Sequence, residues 1–294
     1  MDLILGGGIT GLLASYMLDV PVVTDIIGGT AMHKWPLGPR FVYAKDDTEE
    51  VLRTLGLERH RYNKHIGYYM YGEFVEPTEE LRRLYSEKTR GVAVDGAMSN
   101  KDSTIRVIDI EFDQLTRALS GAVAAKSNLI IDKITKVDTD EKLLIGTQGS
   151  YDYDMLLNTI PLPELLSLAG LEHLAQGIEY KPIYFSHAAL KYEKIMQSKY
   201  SYICFPDPEV AYYRLTKLTG DTCVYEFGYS PGFLVSYFQG TRIRETTSLK
   251  YGKIVSGSLP SQLLDVGIYS LGRWAEWKPR LMLHDVISTV KEWR

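Results

Sequence analysis

With two cysteines among 294 residues, Cys204 and Cys223, the chain lacks the thiols for a disulfide framework or a four-thiolate zinc site, which points to a reducing compartment. No apolar run reaches the roughly 18 residues that a membrane span needs. Met1 and Asp2 lead straight into an apolar strand, so no signal peptide is visible; a cytoplasmic protein with nothing ahead of that strand is expected. Positive charge is not in excess. A net charge of −4 and a pI near 5.9 give no electrostatic footprint for nucleic acid, although a local basic groove stays compatible with them. The six histidines, at 33, 60, 65, 173, 187 and 284, show neither H-x-x-x-H spacing nor pairing with cysteine, so no metal site is expected. Internal repeats, low-complexity stretches and flexible linkers are missing as well. What is present is ordinary for a globular protein: 45% hydrophobic and 24% charged residues, in a length that suits one large or two modest domains. Tyrosine is abundant at 21 residues, several of them in pairs. Strand and core filling accounts for them, with a stacked binding surface as the alternative.

The first thirty residues carry the most information. Asp2 to Leu5 read as a short buried strand, and Gly6, Gly8 and Gly11 then fit G-x-G-x-x-G. Leu12, Leu13, Met17 and Leu18 have helical spacing, and Pro21 to Thr24 give a second strand ending at Asp25. The acid stands 19 positions after the first glycine, close to the roughly 20 of a dinucleotide-binding βαβ unit. In such a unit one glycine makes the turn, the next lets a pyrophosphate approach the backbone, and the third packs helix on strand. The first helical residues, here Ile9 and Thr10, add unpaired N–H groups and the positive end of the helix dipole. A purely structural glycine turn is the competing reading.

Further glycines follow at Gly28-Gly29 and in Gly38-Pro39-Arg40-Phe41, where backbone close to the rest of a cofactor is the natural explanation. Asp47 to Leu55 reads as a helix capped by Gly56. The fingerprint, the acid, the GG pair and the string GPRFVYAKDDTEEVLRTLGLE resemble the flavoprotein superfamily of amine oxidases, protoporphyrinogen oxidase and UDP-galactopyranose mutase. The resemblance implies FAD as cofactor, with Gly28 and Gly29 at its ribityl and pyrophosphate and Asp25 on a ribose hydroxyl. The spacing from Asp25 to Gly28 is shorter than the family's usual one. It also implies that Ile134 meets the adenine through its backbone, and that the C-terminal string GRWAEW brings Gly272, Arg273 and Trp277 to the cofactor. The final helix, expected to begin near Pro279, then points its N-terminus at the flavin.

The implied fold is α/β: a Rossmann-type FAD-binding domain with a second, α+β substrate domain on an antiparallel sheet. The expected division gives residues 1–58, 99–162 and 245–294 to the FAD domain, and 59–98 with 163–244 to the substrate or cap domain. Tyr68 to Gly72 reads as a hairpin, Glu79 to Lys88 as a charged helix and Ile110 to Ala125 as an amphipathic one. Aromatic runs around residues 183–185, 200–203, 211–215 and 223–227, separated by turn residues, suggest the antiparallel sheet.

No catalytic triad is visible, and none is required, because flavin chemistry belongs to the cofactor. His33, in the loop after the GG pair, is a candidate active-site group, against an exposed loop histidine. Arg214 suits a bidentate clamp on an anionic substrate, against a cross-strand pair with Glu226. Tyr213, with Tyr212 and Tyr225, is a candidate pocket wall, against strand packing. The reading the resemblance favours is an FAD-dependent, amine-oxidase-like oxidoreductase acting on the C–N bond of a small amine or amino-acid-like substrate by hydride transfer to flavin N5. The alternatives are an isomerase of the UDP-galactopyranose mutase kind working with reduced flavin, and a flavoenzyme acting on an aminoacylated nucleobase in viral DNA hypermodification. Oligomeric state is not legible.

Overall fold

A computed structural model describes residues 1–33, 37, 41–57, 60–91, 104–189, 193–218, 220–228 and 243–293. Gly38, Pro39 and Arg40 lie outside the described residues. The strand Leu3–Leu5 is buried at every position, as expected of an apolar strand covered on both faces. It sits at the centre of a five-stranded sheet, between Leu156–Asn158 and Val22–Thr24; Ile268–Ser270 and Leu129–Ile131 form the edges. All four pairings are parallel.

Each face of this sheet buries its own core. On one face the helices Ile9–Leu18, Phe112–Ala125 and Leu283–Glu292 pack through Leu12, Leu13, Leu115, Leu119, Ile287 and Val290. On the other lie the helix Leu162–Leu168 and an antiparallel meander of Ile134–Asp138, Leu143–Gly146 and Ser150–Asp152, which contribute Leu162, Leu165, Val137 and Leu144.

The meander hangs on Asp132. This buried carboxylate accepts from the Thr147 backbone N–H (2.9 Å), Thr147 Oγ1 (2.7 Å), the Gln148 N–H (3.1 Å) and the Tyr151 hydroxyl (3.0 Å). Gly146 is the residue that lets the carboxylate lie so close, since a Cβ there would collide with it.

A nine-stranded sheet forms the second half. Glu179–Ala189, Thr222–Phe227, Tyr212–Lys217 and Tyr202–Cys204 run antiparallel in that order, as the aromatic runs predict. The sequence does not reveal that Tyr202–Cys204 then pairs in parallel with Arg61–Met70. Phe41–Tyr43 and Thr104–Asp109 also join this sheet at its far edge, although the sequence reading counts both with the dinucleotide half. Ile243–Ser256, lying along Glu179–Ala189, closes the opposite edge and crosses the boundary expected at residue 245. The helix Glu79–Arg90 docks on the sheet, and Lys88 Nζ donates to the carbonyls of Phe205, Asp207 and Tyr212 at 2.6–2.9 Å.

The last helix begins at Leu283, not near Pro279, because Asp285 accepts the Met282 backbone N–H at 2.8 Å and fixes the helix start there.

Burial opposes ionisation of Asp132, but its hydrogen bonds prevail and hold its carboxyl below the usual carboxylate range. Its folded pKa is therefore below its unfolded one, so its contribution is present above pH 4 and is lost as pH falls through the folded value. Asp132→Ala is expected to lower stability at pH 7 by leaving the Thr147, Gln148 and Tyr151 donors unpaired, with the deficit narrowing below pH 4, measured by urea unfolding across pH.

Candidate functional site

The glycines that follow the first strand do different jobs. At Gly6, φ is +109° and a Cβ would come within 2.7 Å of Ile160 Cγ2 and 2.8 Å of Thr159 Oγ1. A Cβ on Gly11 would overlap the carbonyl oxygen of Gly6. Thr159 locks this contact, its hydroxyl donating to the Leu5 and Gly6 carbonyls at 2.9 Å each. Gly8 differs. Its φ of −67° suits any residue, and a Cβ there would meet nothing within 4 Å. It is the N-cap of the helix, makes no side-chain cap, and the first turn holds no acidic residue. The helix thus presents its first N–H groups and dipole to open space.

Three distant segments gather around that helix end. Gly28 donates its N–H to the Gly7 carbonyl at 2.6 Å and bridges to Gly8, and Gly29 lies alongside. From the far end of the chain, Gly272, with φ +98°, packs on Thr10, where a Cβ would come within 2.9 Å of Thr10 Cγ2. Glu276 folds back to accept the Gly272 N–H at 3.1 Å, so that Arg273 stands beside the helix N-terminus. Arg273 Nε donates to the Leu281 carbonyl at 3.2 Å, and burial lowers its pKa.

Cavities continue from this point in two directions. One, of about 400 Å³, is lined by Gly6, Thr24, Asp25, Asp132, Ile134, Glu164 and Tyr251. It brings together Asp25 and Ile134. Asp25 is exposed, and its carboxylate has no hydrogen-bond or ion-pair partner among the described residues. In the other direction, a cavity of about 230 Å³ lined by Ile9, Thr10, Thr159, Gly272 and Arg273 shares Phe112, Arg273, Trp274 and Met282 with a further cavity of about 400 Å³. This last space opens between the nine-stranded sheet, the helix Glu79–Arg90 and the segment 273–284, and its wall includes Phe41, Tyr43, Tyr85, Arg90, Tyr202, Arg214, Lys253 and His284.

The sequence candidates divide accordingly. Gly6, Gly8, Ile9, Thr10, Gly11, Gly28, Gly29, Gly272 and Arg273 converge on one cradle, Asp25 and Ile134 share the cavity beside it, and Phe41 lines the large cavity. Trp277 does not join them. Its backbone is left-handed (φ +56°), its indole N–H donates to the Ser256 carbonyl at 2.7 Å, and its ring is buried against Tyr180 and Trp274 in the core behind the parallel sheet. His33 ends the short turn Gly29–Met32 and lines none of these three cavities. Tyr212 and Tyr225 pack on the sheet face away from the large cavity, while Tyr213 lies on the near face, buried against Tyr85.

Arg214 makes the cross-strand pair with Glu226 that is the second of its readings. It lines the large cavity and forms a bidentate pair with Glu226, which is fully buried, and it donates to the Tyr202 hydroxyl as well. A β-bulge between Tyr212 and Arg214 turns Tyr213 and Arg214 to the same side of the sheet. A second irregularity lies opposite Lys181–Ile183, where Gly252 passes so close to Ile183 that no Cβ would fit, and it precedes Lys253. Burial, then the field of Arg214, pushes the Lys253 ammonium down to about 7. Lys253, Arg90, Tyr85 and His284 were not legible from sequence; the only local signal is Gly252 before Lys253 inside a strand, the mark of a bulge or a close approach.

Two outcomes follow. Arg214→Met strands a buried carboxylate and is expected to cost about 3–5 kcal/mol, whereas Arg214→Met with Glu226→Leu should recover most of that, as read by a urea-unfolding double-mutant cycle. For Lys253 the folded pKa lies below the unfolded one, so stability declines as pH falls from about 10 to 7 and the loss is complete below 7. Lys253→Met should therefore melt above the wild type at pH 6–7, and the gap should close towards pH 10.

A scan against protein-family models finds no match, and no curated protein matches the sequence. Solved structures do match the fold. A reduced UDP-galactopyranose mutase superimposes with a TM-score of 0.72 at 14% identity, over 99% of this chain and 93% of that one. An oxidoreductase from Methanosarcina mazei gives 0.68 at 10% identity, over 99% of both chains. Cyclohexylamine oxidase from Brevibacterium oxydans IH-35A gives 0.66 at 13% identity, over 99% and 97%. The α/β fold of this chain, a parallel dinucleotide-type sheet beside a large mixed sheet, is the fold of these enzymes.

Proposed function

We propose that this chain is an FAD-dependent oxidoreductase that oxidises the C–N bond of a small amino-acid-like substrate in the large cavity beside its nine-stranded sheet. The observation that carries the reading is Gly8. A glycine with ordinary φ and empty space around its Cα serves no need of the protein's own packing, so the room is there for something that binds. The unpaired N–H groups of Ile9 and Thr10 suit a pyrophosphate, and Arg273 beside them adds charge of the right sign. Asp25 has a carboxylate without a partner among the described residues, which suits a ribose hydroxyl, and Ile134 shares its cavity. The neighbouring enzymes of the same fold, among them a mutase and an amine oxidase, support this assignment.

When bound, the flavin supplies the hydride acceptor. The protein's own residues position it and keep water away. Phe41, Tyr43, Phe185 and Trp274 line the adjoining cavity with rings, which excludes solvent and favours direct transfer over leakage. The C-terminal helix brings its N-terminal end, Leu283 and His284, to the same cavity, where a helix dipole stabilises developing negative charge.

Gly8→Ala is expected to leave the unfolding free energy of the flavin-free protein within about 1 kcal/mol of wild type and to weaken FAD binding at least about tenfold, or about 1.4 kcal/mol. Gly11→Ala should instead destabilise the fold itself. Flavin absorbance, fluorescence titration and thermal unfolding separate the two. The reaction is read by anaerobic bleaching with a panel of amines, amino acids and UDP-sugars. Full FAD affinity in Gly8→Ala would overturn the cofactor assignment, and activity only after dithionite, without oxygen uptake, would overturn the oxidative one.

A further inference from the structure

Among the described residues, the large cavity has five arginine and lysine side chains in its wall, Arg90, Arg214, Lys253, Arg273 and Arg280, and no carboxylate. This runs against a chain whose net charge is −4. Two of the cations are accounted for. Arg214 is neutralised by Glu226, and Arg273 spends its Nε on the Leu281 carbonyl while reaching the cofactor cradle.

Arg90 and Lys253 are different. Arg90 is buried as the last residue of the helix Glu79–Arg90, where the helix dipole favours a cation, and its Nε donates to the Ile254 carbonyl at 3.3 Å. It has no carboxylate partner among the described residues. The Lys253 ammonium sits over the Tyr213 ring, 5.2 Å from its centroid, and has no hydrogen-bond acceptor among the described residues. Lys253 lies in the fields of Arg214 and Arg90, with Glu226 opposing them, and Arg90 lies in those of Arg280 and Arg214. Holding such charges together, partly desolvated and with no carboxylate in contact among the described residues, destabilises the empty protein, and arrangements of this kind are found where a ligand completes the charge balance. A third group stands with them. Tyr85 lines the same cavity, is 4% exposed, and its hydroxyl has no oxygen or nitrogen partner among the described residues, only the weakly accepting thiol of Cys204.

We propose that Arg90, Lys253 and the Tyr85 hydroxyl form the subsite for an oxyanion of the substrate, a carboxylate or a phosphate. Arginine supplies paired N–H donors that match either group, lysine a point charge, and the phenol a neutral donor. This rests on reading the cavity as the substrate side of a flavin enzyme and narrows the substrate class: a plain cationic amine would meet like charge, so the substrate brings its own negative group.

The test titrates FAD-loaded protein with malonate, inorganic pyrophosphate and butylamine, following the flavin spectrum and the melting temperature. One dianion or both should bind, malonate alone indicating a carboxylate and pyrophosphate alone a phosphate. Arg90→Met and Lys253→Met should each weaken binding at least tenfold, and Lys253→Arg should stay within about threefold of wild type. If Arg90→Met does not fold, the Lys253→Met and Lys253→Arg pair carries the comparison. Binding of neither dianion, binding undiminished by Lys253→Met, or preference for butylamine would overturn the proposal. Should the protein fail to take up FAD, the flavin reading fails by that observation alone. The same titration in flavin-free Gly8→Ala protein, whose helix N-terminus is obstructed, then decides the anion subsite independently.

Discussion

The contact between Gly11 and the carbonyl of Gly6 is the constraint on which the rest of the molecule depends. The first helix enters so close to the end of the first strand that no side chain fits between them. That closeness lets Thr159, at the end of the neighbouring strand, donate to both Leu5 and Gly6 and tie three elements together. It also fixes where the helix N-terminus points, and the later segments are arranged around that direction. Gly28 comes in from one side and Gly272 lies on Thr10 from another. The cradle is built largely from backbone, so glycines and helix ends do work that side chains do elsewhere.

The large sheet is governed by irregularity instead. A regular strand alternates its side chains between faces, and Tyr212–Lys217 would then hide every second residue on the wrong side. The bulge at Tyr213 breaks the alternation, so that Tyr212 and Leu215 stay in the outer core while Tyr213 packs on the opposite face and Arg214, on that same face, lines the cavity. Glu226 on the adjacent strand meets Arg214 there, and the buried pair fixes the guanidinium. The second irregularity, at Gly252, sits next to Lys253. Both cations on the sheet side of the cavity are thus placed by departures from ideal pairing, which fits the tendency of bulges to flank active sites.

How much of this was legible follows from the range of the interactions concerned. The βαβ unit was readable because periodicity, glycine spacing and an acid at a strand end are all local, and the convergence of Gly272-Arg273 on it came from resemblance to a known family. Trp277 was misplaced because it is only four residues beyond Arg273, and sequence proximity does not reveal that a left-handed backbone at Trp277 swings the indole to the opposite core. The last helix was expected to start too early for a similar reason: Pro279 is a common first residue, but the Asp285 carboxylate on the Met282 N–H, six residues beyond the proline, decides the matter. Arg90 and Lys253 were invisible as a pair. Being unpaired is a property of a neighbourhood, and theirs is assembled from a helix end and a bulged edge strand far apart in the chain.

The two halves of the molecule solve opposite electrostatic problems. In the cradle, partial positive charge comes from aligned peptide dipoles, which carry no desolvation penalty of their own beyond that of the helix. In the cavity, Arg90 and Lys253 are held with no carboxylate in contact among the described residues, and burial, then the field of Arg214, pushes Lys253 toward neutrality. A fold selected for stability alone would place apolar side chains at Arg90 and Lys253, as buried charge is expensive relative to packing of similar volume. Burial of Glu226 under Arg214 shows that this chain can neutralise a cation where structure requires it. That it does so for Arg214 and not for its two neighbours separates a structural cation from cations kept free for chemistry.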